Sequence, residues 1–408
     1  MENSNASPAV KRILNEAKVR LDAEGIDCYS KLTKTQVYEW TKRSAFVKVE
    51  NSTYRTPMGK ANKAPRLIQG ASPEFIVLVG PWVMAWQSYI KKKWGINNFA
   101  TFTSGMSALQ VAQKMNVSGA EYLEDDVSVW DASFGVESCA DEVQLMSVHG
   151  TPQATRQLMH GNVNTRGLSS KGIKYSRPGG RKSGDPYTSV GNSIYNGLYH
   201  AFIYQDERKV TFFEMTQQLK MVVQGDDNLL CYPPGAPIKW KSCMLKLGYK
   251  ADAIPRASLE DCEFCSSRVY ETEAGLTFGP KPGRVLSKIG YIIKPPNVHP
   301  MSVLRGVALG LLAIAAFVPP VASYANRCVR ITEGYEAWFT RDEEWRMKGT
   351  RSNLTDVGLA KFCLRHEWTD EMQARLDDSL ERWSPGEILD SPEMDWLCDL
   401  DTSGPKQF

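Results

Sequence analysis

The 408-residue chain lacks internal repeats, low-complexity tracts and any hydrophobic run long enough to cross a bilayer, and it carries almost no excess charge. Its most apolar stretch, residues 302–318, contains Arg305 and stops at Pro319 and Pro320. That leaves about a dozen continuous apolar residues where a span needs about 20, so a buried helix is expected. With 49 basic against 46 acidic residues the net charge is +3, and any basic surface has to be local. Lys91, Lys92 and Lys93, Arg177 with Arg181 and Lys182, and Lys281 with Arg284 and Lys288 are the local candidates, each readable also as a solvated face. The nine cysteines form no framework: Cys262 and Cys265 make one CxxC, with no second pair at zinc-finger spacing and no His close by. An odd count points to reduced thiols and a cytosolic compartment. The polar residues 1–8, which lead into a charged helical stretch over 9–24, are unlike a signal peptide. A disulfide-stapled secreted domain, a zinc-finger protein and a repeat array are the classes these absences exclude.

What is present is concentrated in a few segments. Gln224-Gly225-Asp226-Asp227-Asn228 lies between the apolar runs 221–223 (MVV) and 229–232 (LLCY), the pattern of two short buried strands joined by a turn containing Gly and Asn. Adjacent carboxylates at such a tip repel each other, and a hard Mg²⁺ ion that keeps positions open for water and phosphate would relieve the repulsion. Alone, the triplet reads equally as a solvated turn, and Asp227 as a turn residue satisfying local amides. Upstream, the strand-like run 127–130 (VSVW) ends in Asp131. Strands carrying Asp131 and Asp226 side by side would hold two metal ions, one activating an attacking hydroxyl and one stabilising a leaving phosphate. Between them, Ser183-Gly184 precedes Asp185-Pro186, an N-cap and first-turn signature, so a flexible loop entering a helix is expected. On that helix Thr188, Asn192 and Asn196 recur every four residues, a polar stripe able to hydrogen-bond a ribose 2′-hydroxyl. By itself the stretch is also a capped amphipathic helix.

Taken in order, these segments resemble the RNA-dependent RNA polymerases of positive-strand RNA viruses, most nearly their tombusvirus and nodavirus side. Asp131 resembles the first palm aspartate, SGDPYTSVGN (183–192) the SerGly…Thr…Asn motif and QGDDN the catalytic hairpin. Lys60, Lys63 and Arg66 in GKANKAPRLIQG resemble the basic fingers motif that guides nucleoside triphosphates by charge-assisted contacts to phosphate. GYKADAI and CEFCSSRVY stand where the family has its fourth and fifth palm motifs, and GPKPGRVLSKIGY follows. The likeness covers about residues 55–295, with six motifs in the family's order. One position departs from it. Most of the family has a second acid five residues after the first palm aspartate, where Val136 stands here, and Glu137 is one step further, as in RNA bacteriophage replicases. Glu137 beside Asn192 is therefore the expected sugar sensor, with a solvated surface charge as its other reading.

The resemblance implies an α+β right-hand polymerase. Residues 1–125 would form fingers, 126–295 the palm with a fingers insertion near 150–180, and 296–408 a helical thumb and tail. It implies two Mg²⁺ or Mn²⁺ ions on Asp131 and Asp226 with Asp227 in support. Ser183, Gly184, Thr188, Asn192 and Glu137 would lie at the sugar, and Lys60, Lys63 and Arg66 at the triphosphate. Lys250, with Lys246 competing, is the candidate general acid for the pyrophosphate leaving group. The expected partners are template and nascent RNA, ribonucleoside triphosphates and other viral replication proteins, in host cytoplasm at membranes to which another protein recruits the chain. Two classes compete. A reverse transcriptase usually carries an aromatic residue where Gly225 stands, and a catalytically dead RNA-binding scaffold would not need Asp131 and Asp226 intact.

Overall fold

The computed structural model describes residues 8–48, 66–288, 297–339, 352–387 and 389–402, and they form a mixed α+β protein. Its strands in chain order are β1 (Lys42–Val47), β2 (Leu67–Gly70), β3 (Ala100–Phe102), β4 (Glu121–Val127), β5 (Asn164–Ser169) and β6 (Lys174–Pro178). They continue with β7 (Lys220–Gln224), β8 (Asp227–Tyr232), β9 (Ala251–Arg256), β10 (Glu263–Phe264), β11 (Ser267–Thr272) and β12 (Gly275–Pro280). The chain divides into two compact units made of interleaved segments. Of the described residues, the first comprises 8–48, 66–104 and 123–255, and the second 105–122 and those from 256 onward.

The first unit contains a five-stranded sheet in the order β3-β7-β8-β4-β9. Its centre is the β7–β8 hairpin, whose registers run from Lys220 opposite Cys231 to Gln224 opposite Asp227. Met221, Val222 and Val223 on one strand and Leu229, Leu230 and Cys231 on the other are fully buried, which is why both runs are continuously apolar rather than alternating. The helix Thr188–Arg208 packs near this hairpin, and every residue from 190 to 197 on it is buried, polar ones included. A helix buried all round cannot hydrate its polar side chains, so Asn192, Ser193 and Asn196 must find protein partners. An aromatic cluster closes the layer: Trp130 and Tyr249 lie 4.9 Å apart between ring centroids, and Phe134 meets Tyr195 edge-on at 5.0 Å.

A second sheet of the same unit, ordered β2-β1-β5-β6, joins residues far apart in sequence, with β1 parallel to β5 and antiparallel to β2. Beside it runs the helix Pro73–Lys93. Ser72 caps it by accepting from the Phe75 amide, Pro73 occupies the first turn, and Lys91, Lys92 and Lys93 complement the dipole in the last turn. These lysines thus have a local structural role.

The second unit holds the small sheet β10-β11-β12 and helices that include Pro300–Ala315, Pro319–Ile331, Asp356–His366, Asp370–Arg382 and Pro392–Thr402. Tyr270, Leu311, Val321, Tyr324, Phe362, Leu376 and Leu397 form its core. The apolar run expected to be a buried helix is Pro300–Ala315, and its Arg305 donates to the carbonyls of Val329 and Thr332 at the end of the next helix. Among the described residues no helix is long and apolar enough to cross a membrane.

Candidate active site

The acidic hairpin is tighter than the sequence suggests. Its loop is two residues, Gly225 and Asp226, and of the two only Gly225 has positive φ (68°), the pattern of a II′ turn whose first central position favours glycine. Asn228, read from sequence as a turn residue, is instead buried in β8. The helix Thr188–Arg208 holds the tip by side chains. Ser193 Oγ accepts from the Gly225 amide at 2.7 Å, and Asn196 Nδ2 donates to the carbonyls of Gly225 and Asp226 at 3.2 and 2.9 Å. Asn228 Nδ2 in turn donates to Asn196 Oδ1 at 2.9 Å and to the Asp125 carbonyl at 3.3 Å, which ties hairpin, helix and β4 into one polar lock.

The segment before Asp131 differs from the expected strand. β4 ends at Val127, Val129 adopts a left-handed conformation (φ 49°), and Trp130–Ser133 is a single helical turn. The acid at the strand end is therefore Asp126, exposed on β4 next to β8 in the sheet, while Asp131 sits on the turn that follows. Asp131 is half-buried, and both of its carboxylate oxygens accept hydrogen bonds, Oδ1 from Asn192 Nδ2 at 3.1 Å and Oδ2 from Ser183 Oγ at 2.9 Å. Asp226 is at the surface, yet enough protein crowds it that lost hydration is the first cause raising its carboxyl above the usual range. The charges of Asp131 and Asp126 add to the rise and Arg66 opposes it, so the three carboxylates and Arg66 share one region.

Counting from Asp126 removes the family departure, because the second acid five residues on is Asp131 itself. That step between acids is present in the sequence, but the apolar run 127–130 hides it by reading as a strand that ends in Asp131. Glu137, expected beside Asn192, makes no hydrogen bond to it. It is exposed in the first turn of the helix Val136–Val148, and Asn192 is engaged by Asp131 and Arg181.

The SerGly loop also departs in detail. Asp185 is no N-cap: the helix begins at Thr188, and the Asp185 carboxylate is buried against Arg43 at 2.8 Å and Asn162 Nδ2 at 2.5 Å. Thr188 Oγ1 donates to the Lys182 carbonyl at 2.7 Å, so it braces the loop rather than joining Asn192. Gly184 bridges to Gly70, and a Cβ there would collide with the Gln69 carbonyl oxygen. This contact fastens the loop to β2, the strand that Arg66 immediately precedes. Lys60 and Lys63 lie outside the described residues. Lys250 is exposed, and its carbonyl accepts from the Ser128 amide at 2.9 Å, which sets it beside the 127–131 turn; Lys246 is exposed at the end of the helix Trp240–Lys246.

Two of the expected basic stretches change character. Arg181 and Lys182 are buried, Arg181 in an ion pair with Glu142 and Lys182 donating to the Asn162 carbonyl at 2.5 Å, so neither lines an open channel. Lys281 is buried and paired with Glu263.

Among the described residues no three His, Cys, Asp or Glu side chains form a ready-made metal cage. Magnesium is commonly held by one or two carboxylates and completed by water and substrate phosphate, so the acids around Asp226 fit such an ion without enclosing it. The Asp226 carboxyl is raised by lost hydration first and by the neighbouring acids second, and a bound divalent cation would favour its charged form.

The chain is 24% identical over 364 residues to the RNA-directed RNA polymerase of Cucumber necrosis virus, covering 83% of this chain and 43% of that protein. The corresponding protein of Tomato bushy stunt virus (strain Cherry) is also 24% identical with the same coverage, and that of Pariacoto virus is 23% identical, covering 72% of this chain and 30% of that protein. This chain thus spans less than half the length of these relatives. Residues 38–333 match the family described as viral RNA-dependent RNA polymerase, a span that takes in every part of the site above, and the chain belongs to that family.

Proposed function

We propose that the chain is the catalytic core of a viral replicase that copies an RNA template by joining ribonucleotides to a 3′-hydroxyl. The observation that carries this reading is the Asp131 carboxylate, held between Ser183 and Asn192 beside the acidic hairpin tip. Asp126 and Asp226, with Asp227 in support, would hold the two divalent ions that family membership implies. Those ions supply charge stabilisation for the attacking and leaving oxygens when bound. Asp131 passes from metal ligand to sugar recognition, with Asn192 and Ser183 fixing its carboxylate for the 2′-hydroxyl. Arg66, with Lys60 and Lys63, engages the triphosphate as it enters. In the transfer a bond forms from the 3′-oxygen to the α-phosphorus while the bond to pyrophosphate breaks, and Lys250 is the proton donor to that leaving group.

The five-stranded sheet with the helix Thr188–Arg208 then corresponds to the palm. The β2-β1-β5-β6 sheet and the helix Pro73–Lys93 correspond to fingers, and the helices after residue 296 to a thumb. A sheet that unites strands at 42–70 and 164–178 supports a fingers insertion within the palm sequence. RNA, ribonucleoside triphosphates and other replication proteins are the proposed partners, at host cytoplasmic membranes reached through one of them. Extension of a primed RNA template with ribonucleotides and then deoxyribonucleotides tests the reading. Ribonucleotide-dependent extension is expected, whereas extension by deoxyribonucleotides alone, or none at all, would contradict it.

A further inference from the structure

Arg181 was a candidate for an exposed RNA-binding surface, yet only 4% of it is exposed, and it lies directly behind Asn192. Its Nε donates to Asn192 Oδ1 at 2.7 Å, while Asn192 Nδ2 donates to Asp131 Oδ1 at 3.1 Å. An asparagine amide can be turned end for end, but a guanidinium only donates and a carboxylate only accepts. With Arg181 on one side and Asp131 on the other, a single orientation satisfies both groups. The backbone amide of Arg181 also donates to the Asp131 carbonyl at 2.7 Å, so one residue ties both members of the sugar-facing pair.

Glu142 fixes Arg181 in turn. The two make a forked ion pair, Nη1 to Oε2 at 2.5 Å and Nη2 to Oε1 at 2.9 Å, with both side chains 2% exposed. The guanidinium lies over the Phe134 ring, 4.1 Å from its centroid. Space for the fork comes from Gly191 on the neighbouring helix, where a Cβ would collide with Glu142 Oε1 and lie 2.9 Å from Arg181 Nη2. A buried ion pair adds little stability over an apolar replacement and is better suited to enforcing one geometry. All three side-chain nitrogens of Arg181 are used, two on Glu142 and one on Asn192, a division that lysine cannot reproduce.

We infer that Arg181 and Glu142 are positioning residues for sugar discrimination: the fork holds the Asn192 amide in the one orientation that presents Asp131 correctly to a ribose 2′-hydroxyl. This rests on the proposed role of Asp131 and Asn192. The test measures the ratio of kcat/KM for a ribonucleotide and its matched deoxyribonucleotide, opposite one template base on a primed RNA. Wild type, Asn192→Ala, Arg181→Lys, Glu142→Gln and the double variant Arg181→Lys/Asn192→Ala are compared. Both substrates are read on the same preparation, so the ratio does not depend on the fraction of molecules that fold. Arg181→Lys and Glu142→Gln are each expected to lower it about tenfold, the scale of a lost buried hydrogen-bond geometry, and the double variant should match Asn192→Ala alone. If Asn192→Ala lowers the ratio but Arg181→Lys and Glu142→Gln reduce both substrates equally, the pair is merely structural and the inference fails. An additive double variant overturns it too, because Arg181 would then act other than through Asn192. A ratio untouched by Asn192→Ala itself would instead refute the sugar role on which the inference stands.

Discussion

Asp226 shows how a residue's surroundings set its chemistry. Its carboxyl is raised by lost hydration and by Asp131 and Asp126, so the folded protein without metal binds a proton there more readily than the unfolded chain does. Stability of the metal-free protein therefore falls as pH rises from the ordinary carboxylate range through that raised range. Asp226→Asn removes this loss, so the metal-free variant is expected to melt no lower than wild type at neutral pH, and added Mg²⁺ is expected to raise the Tm of wild type but not of the variant. Calorimetry with and without Mg²⁺ checks both, and a variant that melts well below wild type would contradict the assignment. For wild type, Mg²⁺ affinity should weaken as pH drops, because the ion has to displace the proton; titration calorimetry in buffers of different ionisation enthalpy measures that release. Incorporation by Asp226→Asn should fall roughly a thousandfold, since a bound divalent ion supplies several kcal/mol of charge stabilisation. At the sugar, Asn192→Ala should relax ribose preference, whereas Glu137→Ala should leave it unchanged, because Glu137 is exposed and does not reach Asn192. A collapse of the ratio in Glu137→Ala would restore the sequence expectation that the structure has set aside.

Among elements, the helix Thr188–Arg208 carries the most information. Its stripe of Thr188, Asn192 and Asn196 was legible as periodicity, but only the packing shows that three similar polar residues do three jobs. Thr188 braces the loop, Asn192 holds Asp131, and Asn196 pins the hairpin. Asn196→Ala takes the side-chain donor from the Gly225 and Asp226 carbonyls and one of two acceptors from the buried Asn228 amide, a cost of about 1–3 kcal/mol. Chemical denaturation should show it, and the loosened tip should lower incorporation for all nucleotides alike. Gly184→Ala forces a methyl against the Gln69 carbonyl, so the loop or β2 has to shift; a loss of about 1–3 kcal/mol is expected, together with a higher KM for every triphosphate because β2 follows Arg66. A base-dependent effect would show that the strand does not act through phosphate. The turn at 127–131 was not legible. Its apolar residues scored as a strand, and nothing local announces that Val129 goes left-handed so that Trp130 can enter the aromatic cluster. Tertiary packing of one large ring outweighed local preference there, and it moved the strand-end acid from Asp131 back to Asp126.

For the whole molecule, the order of motifs was readable because each carries chemistry in a short window: a glycine turn with two acids, a SerGly loop, a basic entry segment. Partners across long sequence gaps were not readable. Arg43 with Asp185 and Glu142 with Arg181 are ion pairs between residues 142 and 39 positions apart, and no periodicity predicts them. The same buried pairs explain why a chain of net charge +3 keeps part of its basic complement inside, while the Arg66 charge acts on Asp226. Two aspartates five residues apart are proposed to divide the labour, Asp126 for metal and Asp131 for sugar. Single-nucleotide incorporation by Asp126→Asn and Asp131→Ala, assayed in parallel with ribo- and deoxyribonucleotides on one primed RNA, tests this division most directly. Asp126→Asn is expected to lose both substrates by roughly a thousandfold, while Asp131→Ala keeps measurable incorporation and loses its preference for ribose. Retained activity in Asp126→Asn, or an Asp131→Ala enzyme equally dead toward both sugars, would contradict it.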